Sequence, residues 1–208
     1  MVKVKICGIT NISDALLSVD SGCDALGFVF YKKSLRYISP EEARRIIQQL
    51  PKNIIKIGVF ADSQEKRIKE IAKLCKLDIL QFHGHESAQF CRKFKNYKII
   101  KAFRIKDRID LQNILKYKSF AYLFDTFTKS KIGGTGRRFN WKILRHINRI
   151  KQPIFLSGGL NAANVKRAIK TVHPDWVDVS SSVEIRPGKK DPARVKKFIQ
   201  AAKAARAR

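Results

Sequence analysis

Three observations predict an α/β fold built from eight strand–helix units. The 208 residues suit one domain. Short and nearly continuous apolar runs alternate with longer amphipathic stretches along the chain, as in a parallel sheet whose strands are buried on both faces. Eight such units in about 200 residues fit a compact barrel, so we predict a single-domain (β/α)8 TIM barrel over residues 1–208. An open doubly wound sheet stays as the alternative, because counting units does not exclude it.

The strands are predicted at the apolar runs, each of which is short and bounded by polar or turn-forming residues. They cover residues 2–6, 25–30, 54–60, 79–82, 99–103, 121–124, 153–156 and 176–179.

Helices are predicted between the strands, over residues 12–21, 40–49, 64–75, 87–93, 107–115, 141–147, 162–171 and 192–205. The second has the clearest start. Ser39 can cap it, Pro40 suits its first turn, and Glu41 and Glu42 follow where acids favour a helix N-terminus.

The net charge is strongly positive, with 44 Lys and Arg against 17 Asp and Glu, or +27. Such a charge attracts polyanions, so non-specific nucleic-acid binding is one expectation. The basic residues are spread along the chain and form no recognition motif, which favours solvated helix faces instead. A phosphorylated small molecule would be drawn to the same field. Charge therefore does not decide the function.

The four cysteines, Cys7, Cys23, Cys75 and Cys91, show neither a CxxC pair nor zinc-ligand spacing. No apolar run approaches the ~18 residues of a membrane span, and no signal peptide is evident. We expect reduced thiols, a cytoplasmic protein and no contact with membranes.

The residues that follow the strands are the candidates for chemistry, because a barrel's active site forms at the carboxyl ends of its strands. After the seventh strand comes Gly158-Gly159, and after the eighth comes Ser180-Ser181-Ser182. Small residues allow backbone N–H groups to approach an anion. These two loops therefore predict a phosphate site, although the glycine pair alone could be a tight turn.

Cys7 and Asp125 each close an apolar strand and are a candidate base and acid. To act as a base at neutral pH, a thiol must have its pKa lowered from near 8.5. To act as an acid, a carboxyl must stay protonated at that pH. A basic, phosphate-binding mouth would favour the thiolate, and partial burial would favour the neutral carboxyl. The alternative for Cys7 is a small buried hydrophobe.

The histidines predict no metal site. His83, His85 and Glu86 lie on one short turn without a distant partner, so we expect no metal, and His83 is expected to line the mouth as a hydrogen-bonding group.

Several motifs resemble the phosphoribosylanthranilate isomerase family of tryptophan biosynthesis, in order over essentially the whole chain. They are KICGIT at 5–10, GFVF at 27–30 with SLRYIS at 34–39, QFHG at 81–84, FDT at 124–126, GGTG at 133–136 with FNW at 139–141, LSGGLN at 156–161, and DVSS at 178–181 with VE at 183–184 and PG at 187–188.

The resemblance implies an Amadori rearrangement of N-(5-phosphoribosyl)anthranilate to 1-(2-carboxyphenylamino)-1-deoxyribulose 5-phosphate, by acid and base catalysis without a cofactor. It implies that Asp125 protonates the furanose ring oxygen and that Cys7 removes the C2′ proton. Arg36 would pair with the anthranilate carboxylate, for which a guanidinium has suitable parallel donors. The residues implied for the phosphate are Gly158, Gly159, Ser180 and Ser181.

Two positions depart from the family pattern: Ser182 replaces the usual Gly, which leaves the phosphate loop in question, and Phe82 replaces Leu.

The rival enzymes are indole-glycerol-phosphate synthase, which needs Lys and Glu inside the barrel, and ribulose-phosphate epimerase, which needs His and Asp metal ligands. The strand ends supply neither set convincingly. The third alternative is a basic nucleic-acid-binding protein. We expect a monomer or a homodimer.

Overall fold

Eight parallel strands form a closed barrel in the computed structural model, which describes residues 1–105, 109–126, 141, 144, 147 and 150–205. Each strand pairs with the next along the chain, and β8 pairs with β1. This closure confirms the predicted barrel and excludes the open sheet. The strands are β1 Lys3–Cys7, β2 Ala25–Val29, β3 Ile55–Phe60, β4 Ile79–Phe82, β5 Lys98–Ile105, β6 Ala121–Thr126, β7 Ile154–Ser157 and β8 Trp176–Val179.

Seven α-helices lie between or after these strands in the described part of the chain: α1 Ile12–Asp20, α2 Pro40–Ile47, α3 Glu65–Leu74, α4 Ala88–Cys91, α5 Leu111–Leu115, α6 Val165–Val172 and α7 Pro192–Lys203. The helix α2 begins as predicted. The Ser39 side chain accepts from the Glu42 backbone N–H, and the Glu42 side chain accepts from Ser39 in return. None of the described helices is long and apolar enough to cross a membrane.

The predicted helices are mostly longer than the observed ones. The segment predicted at 87–93 is α4 followed by a short 3-10 turn, Arg92–Phe94. The helix predicted at 107–115 is described only from Ile109 onward and begins at Leu111, where Asp110 caps it. The helix predicted at 141–147 and the motifs at 133–136 and 139–140 lie largely or wholly outside the described residues.

A small antiparallel hairpin follows β8 and was not predicted. Its strands are β9 Glu184–Arg186 and β10 Lys189–Lys190, and a 3-10 turn, Ser181–Val183, precedes it. Gly188 turns the chain between them with a φ of +80°. The hairpin contacts the start of the chain, since Lys190 N–H donates to Asp14 Oδ2 at 2.7 Å and Thr10 Oγ1 donates to Gly188 O at 2.5 Å.

Side chains alternate between two cores along each strand. One cluster fills the barrel, and it includes Ile57, Ile100, Leu123 and Trp176. The larger cluster, from residues at alternate positions such as Phe124, packs between barrel and helices. Because strand side chains point alternately to the two faces, the residue two places after an interior position also faces inward. By this alternation, polar side chains near the carboxyl ends of the strands point into the mouth of the barrel.

Candidate active site

A cavity of about 430 Å³ opens at the carboxyl ends of the strands, where the barrel rule places a site. It brings together the eight residues that sequence reasoning selected, which are Cys7, Arg36, His83, Asp125, Gly158, Gly159, Ser180 and Ser181. They come from six different strands or the loops that follow them, so only the closed barrel makes them neighbours.

The strand register explains why the thiol and the carboxyl reach this cavity. Asp125 lies two residues after the interior Leu123, and Cys7 lies two residues after Lys5, which is fully buried. Both side chains therefore face the barrel interior and line its mouth from β1 and β6. These strands are separated on the shorter way round by β7 and β8, so the two groups approach the cavity from different sides.

Cys7 is tightly enclosed. It packs with Val29 and Val59, and its Sγ lies so close to Gly27 that a Cβ built there would be 2.8 Å away. Burial raises the pKa of the Cys7 thiol, while the Lys5 ammonium beside it acts to lower that pKa. The sequence-based expectation that the mouth would lower the thiol pKa is therefore wrong, because loss of hydration outweighs the nearby cations.

A chain of hydrogen bonds connects the surroundings of Cys7 with Asp125. Lys5 Nζ donates to Asp178 Oδ1 and to Gln81 Oε1, both at 3.0 Å. Gln81 Nε2 lies 3.0 Å from His83 Nδ1, and His83 Nε2 lies 3.3 Å from Asp125 Oδ2. Burial alone would lower the pKa of Lys5, but Asp178 and Cys7 outweigh it and hold that pKa above its ordinary value. Lys5 is therefore an ammonium group.

Arg36 is held at one side of the cavity by Glu184. Its Nε and Nη2 donate to the two carboxylate oxygens at 2.9 and 2.6 Å. Glu184 Oε1 also accepts from the buried Lys190 at 2.8 Å, and Lys190 Nζ reaches the backbone oxygen of Cys7 at 2.6 Å. Burial alone would raise the pKa of Glu184, but these hydrogen bonds outweigh it and hold that pKa below its ordinary value.

The loops after β7 and β8 form another wall of the cavity. Gly158 and Gly159 have φ of +89° and +66°, a left-handed conformation that glycine adopts without strain. Ser180 Oγ is buried and has no hydrogen-bond partner among the described residues. An unsatisfied hydroxyl at a cavity wall suits a ligand with acceptor oxygens.

The Ser182 substitution does not disturb this wall. Its φ is not positive, so glycine's freedom is not needed there. The Ser182 hydroxyl donates to the Leu160 backbone oxygen and thereby ties the two loops together.

Five polar residues around the site had no role assigned from sequence: Lys5, Gln81, Asp178, Glu184 and Lys190. Lys5 and Asp178 each interrupt an apolar strand, which is a signal for a buried charge with a partner. The Pro187-Gly188 dipeptide is a signal for the hairpin that carries Glu184 and Lys190. Their pairing across the chain has no signal in a single sequence.

No group of three or more His, Cys, Asp and Glu side chains in the described ranges is arranged to hold a metal ion. His85, considered with His83 as a ligand, is 94% exposed and pairs with Asp62 instead.

Comparison with known proteins identifies the family. A family model for N-(5′-phosphoribosyl)anthranilate (PRA) isomerase matches residues 4–201. The N-(5′-phosphoribosyl)anthranilate isomerase of Pelobacter propionicus is 50% identical to this chain over 206 residues, covering 99% of this chain and 98% of the relative.

Solved structures agree. The crystal structure of phosphoribosyl anthranilate isomerase from Thermotoga maritima superposes with a TM-score of 0.91 at 47% identity, covering 98% of this chain and 99% of that one. A phosphoribosyl anthranilate isomerase in complex with reduced 1-(o-carboxyphenylamino)-1-deoxyribulose 5-phosphate has a TM-score of 0.89 at 45% identity, with the same coverage.

Proposed function

Because the chain belongs to the N-(5′-phosphoribosyl)anthranilate isomerase family, we propose that its cavity carries out the Amadori rearrangement of N-(5-phosphoribosyl)anthranilate by general acid and base catalysis. The observation that carries the proposal is the placement of Cys7 and Asp125 on the wall of one cavity, beside paired glycines and an unsatisfied serine hydroxyl. The product, 1-(2-carboxyphenylamino)-1-deoxyribulose 5-phosphate, is an isomer of the substrate, so the reaction needs the opening of the ring C–O bond and proton transfers, but no oxidant, reductant or second substrate.

Asp125 is the general acid in the first step. Its proton passes to the furanose ring oxygen while the lone pair of the anthranilate nitrogen forms a double bond to C1′. The bond between C1′ and the ring oxygen breaks, giving a protonated Schiff base with a free hydroxyl. Asp125 suits this step because its carboxyl is about a quarter exposed at the cavity wall and can reach a bound sugar.

Cys7 is the general base in the second step. Its thiolate removes the C2′ proton, and the electrons of the C–H bond form a C1′–C2′ double bond as the Schiff base nitrogen becomes neutral. The resulting enolamine tautomerises to the ketone, as its C2′ hydroxyl loses a proton and C1′ gains one. Lys5 favours the thiolate electrostatically, in opposition to burial, and the enclosing wall keeps the sulfur fixed.

Arg36 binds the anthranilate carboxylate. Glu184 occupies the Nε–Nη2 edge of the guanidinium, which leaves the Nη1–Nη2 edge as the second pair of parallel donors for a planar carboxylate. In the same cavity, the backbone of Gly158, Gly159 and Ser181 and the Ser180 hydroxyl hold the phosphate. The two anionic ends of the substrate thereby set the position of its ribose.

The chemistry proposed here needs no metal or organic cofactor, since every step is a proton transfer or a bond rearrangement within the substrate. We further propose a cytoplasmic enzyme, since its four cysteines are free thiols. A monomer or a homodimer, and weak non-specific binding of nucleic acid through the positive surface, also stay as proposals.

The test is a fluorescence assay that follows loss of N-(5-phosphoribosyl)anthranilate with Cys7→Ala and Asp125→Asn. Each variant should lose at least about 100-fold in kcat, the lower end of the usual contribution of acid–base catalysis, with an unchanged circular dichroism spectrum. Cys91→Ala is the matched control, because it removes a buried thiol on α4, outside the cavity. Near-wild-type turnover in both site variants would exclude the proposed mechanism.

A further inference from the structure

The hydrogen-bond chain from Lys5 to Asp125 has a defined direction. Lys5 is fully buried and Gln81 is 1% exposed, so bulk water does not compete for their polar atoms. An ammonium group has donors only, and Lys5 Nζ lies 3.0 Å from Gln81 Oε1. The amide of Gln81 is therefore oriented with its oxygen toward Lys5, since the flipped amide would put an NH₂ group against the ammonium.

This orientation determines the tautomer of His83. With its oxygen toward Lys5, Gln81 presents Nε2, a donor, to His83 Nδ1 at 3.0 Å. Nδ1 must then accept and carry no proton. In a neutral imidazole the proton lies on the other nitrogen, so His83 Nε2–H donates to Asp125 Oδ2 at 3.3 Å.

We propose that Lys5 and Gln81 are positioning residues that hold His83 as the neutral Nε2–H tautomer, so that His83 orients Asp125 without forming an ion pair with it. The inference rests on the proposed role of Asp125 as general acid. One hydrogen bond to Oδ2 fixes the rotation of the carboxyl and leaves Oδ1 to carry the proton that the ring oxygen receives.

The alternative state of His83 would oppose catalysis. A doubly protonated ring would direct its Nδ1–H at the NH₂ of Gln81, a contact between two donors. It would also pair with the Asp125 carboxylate and stabilise the ionised form, which has no proton to give. Asp178, the other acid whose charge acts on His83, is already paired with Lys5 at 3.0 Å.

The first test is ¹⁵N NMR of the histidine side chains in the whole wild-type enzyme, with the His83 signals assigned by their loss in His83→Gln. The ring nitrogens of His83 should show the Nε2–H tautomer at neutral pH. Signals of an Nδ1–H tautomer or of an imidazolium would overturn the proposal. This measurement needs no variant of Lys5 or Gln81 to fold.

The second test is Gln81→Glu, which changes a donor into an acceptor with almost the same shape. A carboxylate there accepts from both Lys5 and His83 Nδ1, so the His83 signals should become those of a ring protonated on Nδ1, either the Nδ1–H tautomer or an imidazolium. The kcat should fall about 100-fold while KM changes less than about twofold, because the change acts on the acid and not on the anion-binding groups. Gln49→Glu, the same change at an exposed position after α2, should leave both constants unaltered.

Two results separate this proposal from the proposed function. A ring protonated on Nδ1 in Gln81→Glu with wild-type kcat would refute the positioning role while leaving the isomerase mechanism standing. Wild-type turnover in Asp125→Asn would refute the mechanism itself, whatever tautomer His83 shows.

Discussion

Replacing Gly27 with alanine should disturb the proposed base without replacing any catalytic side chain. Gly27 lies in β2 directly beside Cys7 in β1. A Cβ at this position would lie 2.8 Å from Cys7 Sγ and 3.1 Å from Lys5 Cε, whereas ordinary contacts begin at 3.4 Å. Since the backbone of Gly27 does not have a positive φ, the strain would come from these contacts and not from the chain conformation.

The displacement can be converted into an expected loss of rate. To reach an ordinary contact the sulfur must move by about 0.6 Å, and a misplacement of about 1 Å in an active site can cost 100-fold. We expect kcat to fall about 10- to 100-fold and KM to stay nearly constant, since Arg36 and the phosphate loops are unchanged. Overpacking should also cost about 1–3 kcal/mol of stability.

A double-mutant cycle identifies the contact responsible. The free energy of unfolding is measured by urea titration for Gly27→Ala in the wild-type and Cys7→Ala backgrounds, and kcat is measured by the fluorescence assay. Without the sulfur, Gly27→Ala should cost about 1 kcal/mol less, because the closest contact is gone. Equal costs in both backgrounds, or a wild-type kcat in Gly27→Ala alone, would refute the idea that this glycine makes room for the thiol.

Two more outcomes follow from the buried charges. Because burial raises the pKa of Cys7, its thiolate fraction at pH 7 is below that of a free thiol, and its alkylation by iodoacetamide, followed by mass spectrometry, should keep rising above about pH 9. Lys5→Met removes the larger of the two cationic effects that lower this pKa, the other being that of Lys190, so alkylation should slow near neutral pH; a rate that levels off near pH 7 would contradict both statements. Lys101→Met breaks a pair with Glu86 in which both side chains are 3% exposed, and should cost about 3–5 kcal/mol in urea unfolding, whereas Lys69→Met at a surface pair should cost at most about 1. A loss below 1 kcal/mol for Lys101→Met would show that Glu86 is satisfied without it.

The barrel and the positions of Cys7 and Asp125 could be predicted because they depend on local pattern. Strands buried on both faces read as short apolar runs, and the barrel rule then points to the polar residue at each strand end. The chemical roles of the two residues came from the family resemblance, since a strand-end cysteine alone fits a buried hydrophobe equally well.

The partners of the site residues could not be predicted because they depend on distant pairing. Glu184 contacts Arg36 across 148 positions of the chain, and no local pattern reports such a contact. The expectation that the Cys7 pKa would be lowered was wrong for a related reason. It depends on the balance between lost hydration and two buried lysines, and that balance is decided by packing.

The hairpin β9–β10 makes the two ends of the polypeptide depend on each other. Lys190 lies 183 positions after Cys7, and its Nζ donates a hydrogen bond to the backbone oxygen of Cys7. The backbone N–H of Lys190 donates to Asp14. During synthesis the thiol leaves the ribosome first, yet its surroundings are complete only after nearly the entire chain has emerged. Fragments that lack the last quarter of the molecule would therefore contain the reactive sulfur without the environment that directs it, so an unfinished chain is an inactive one.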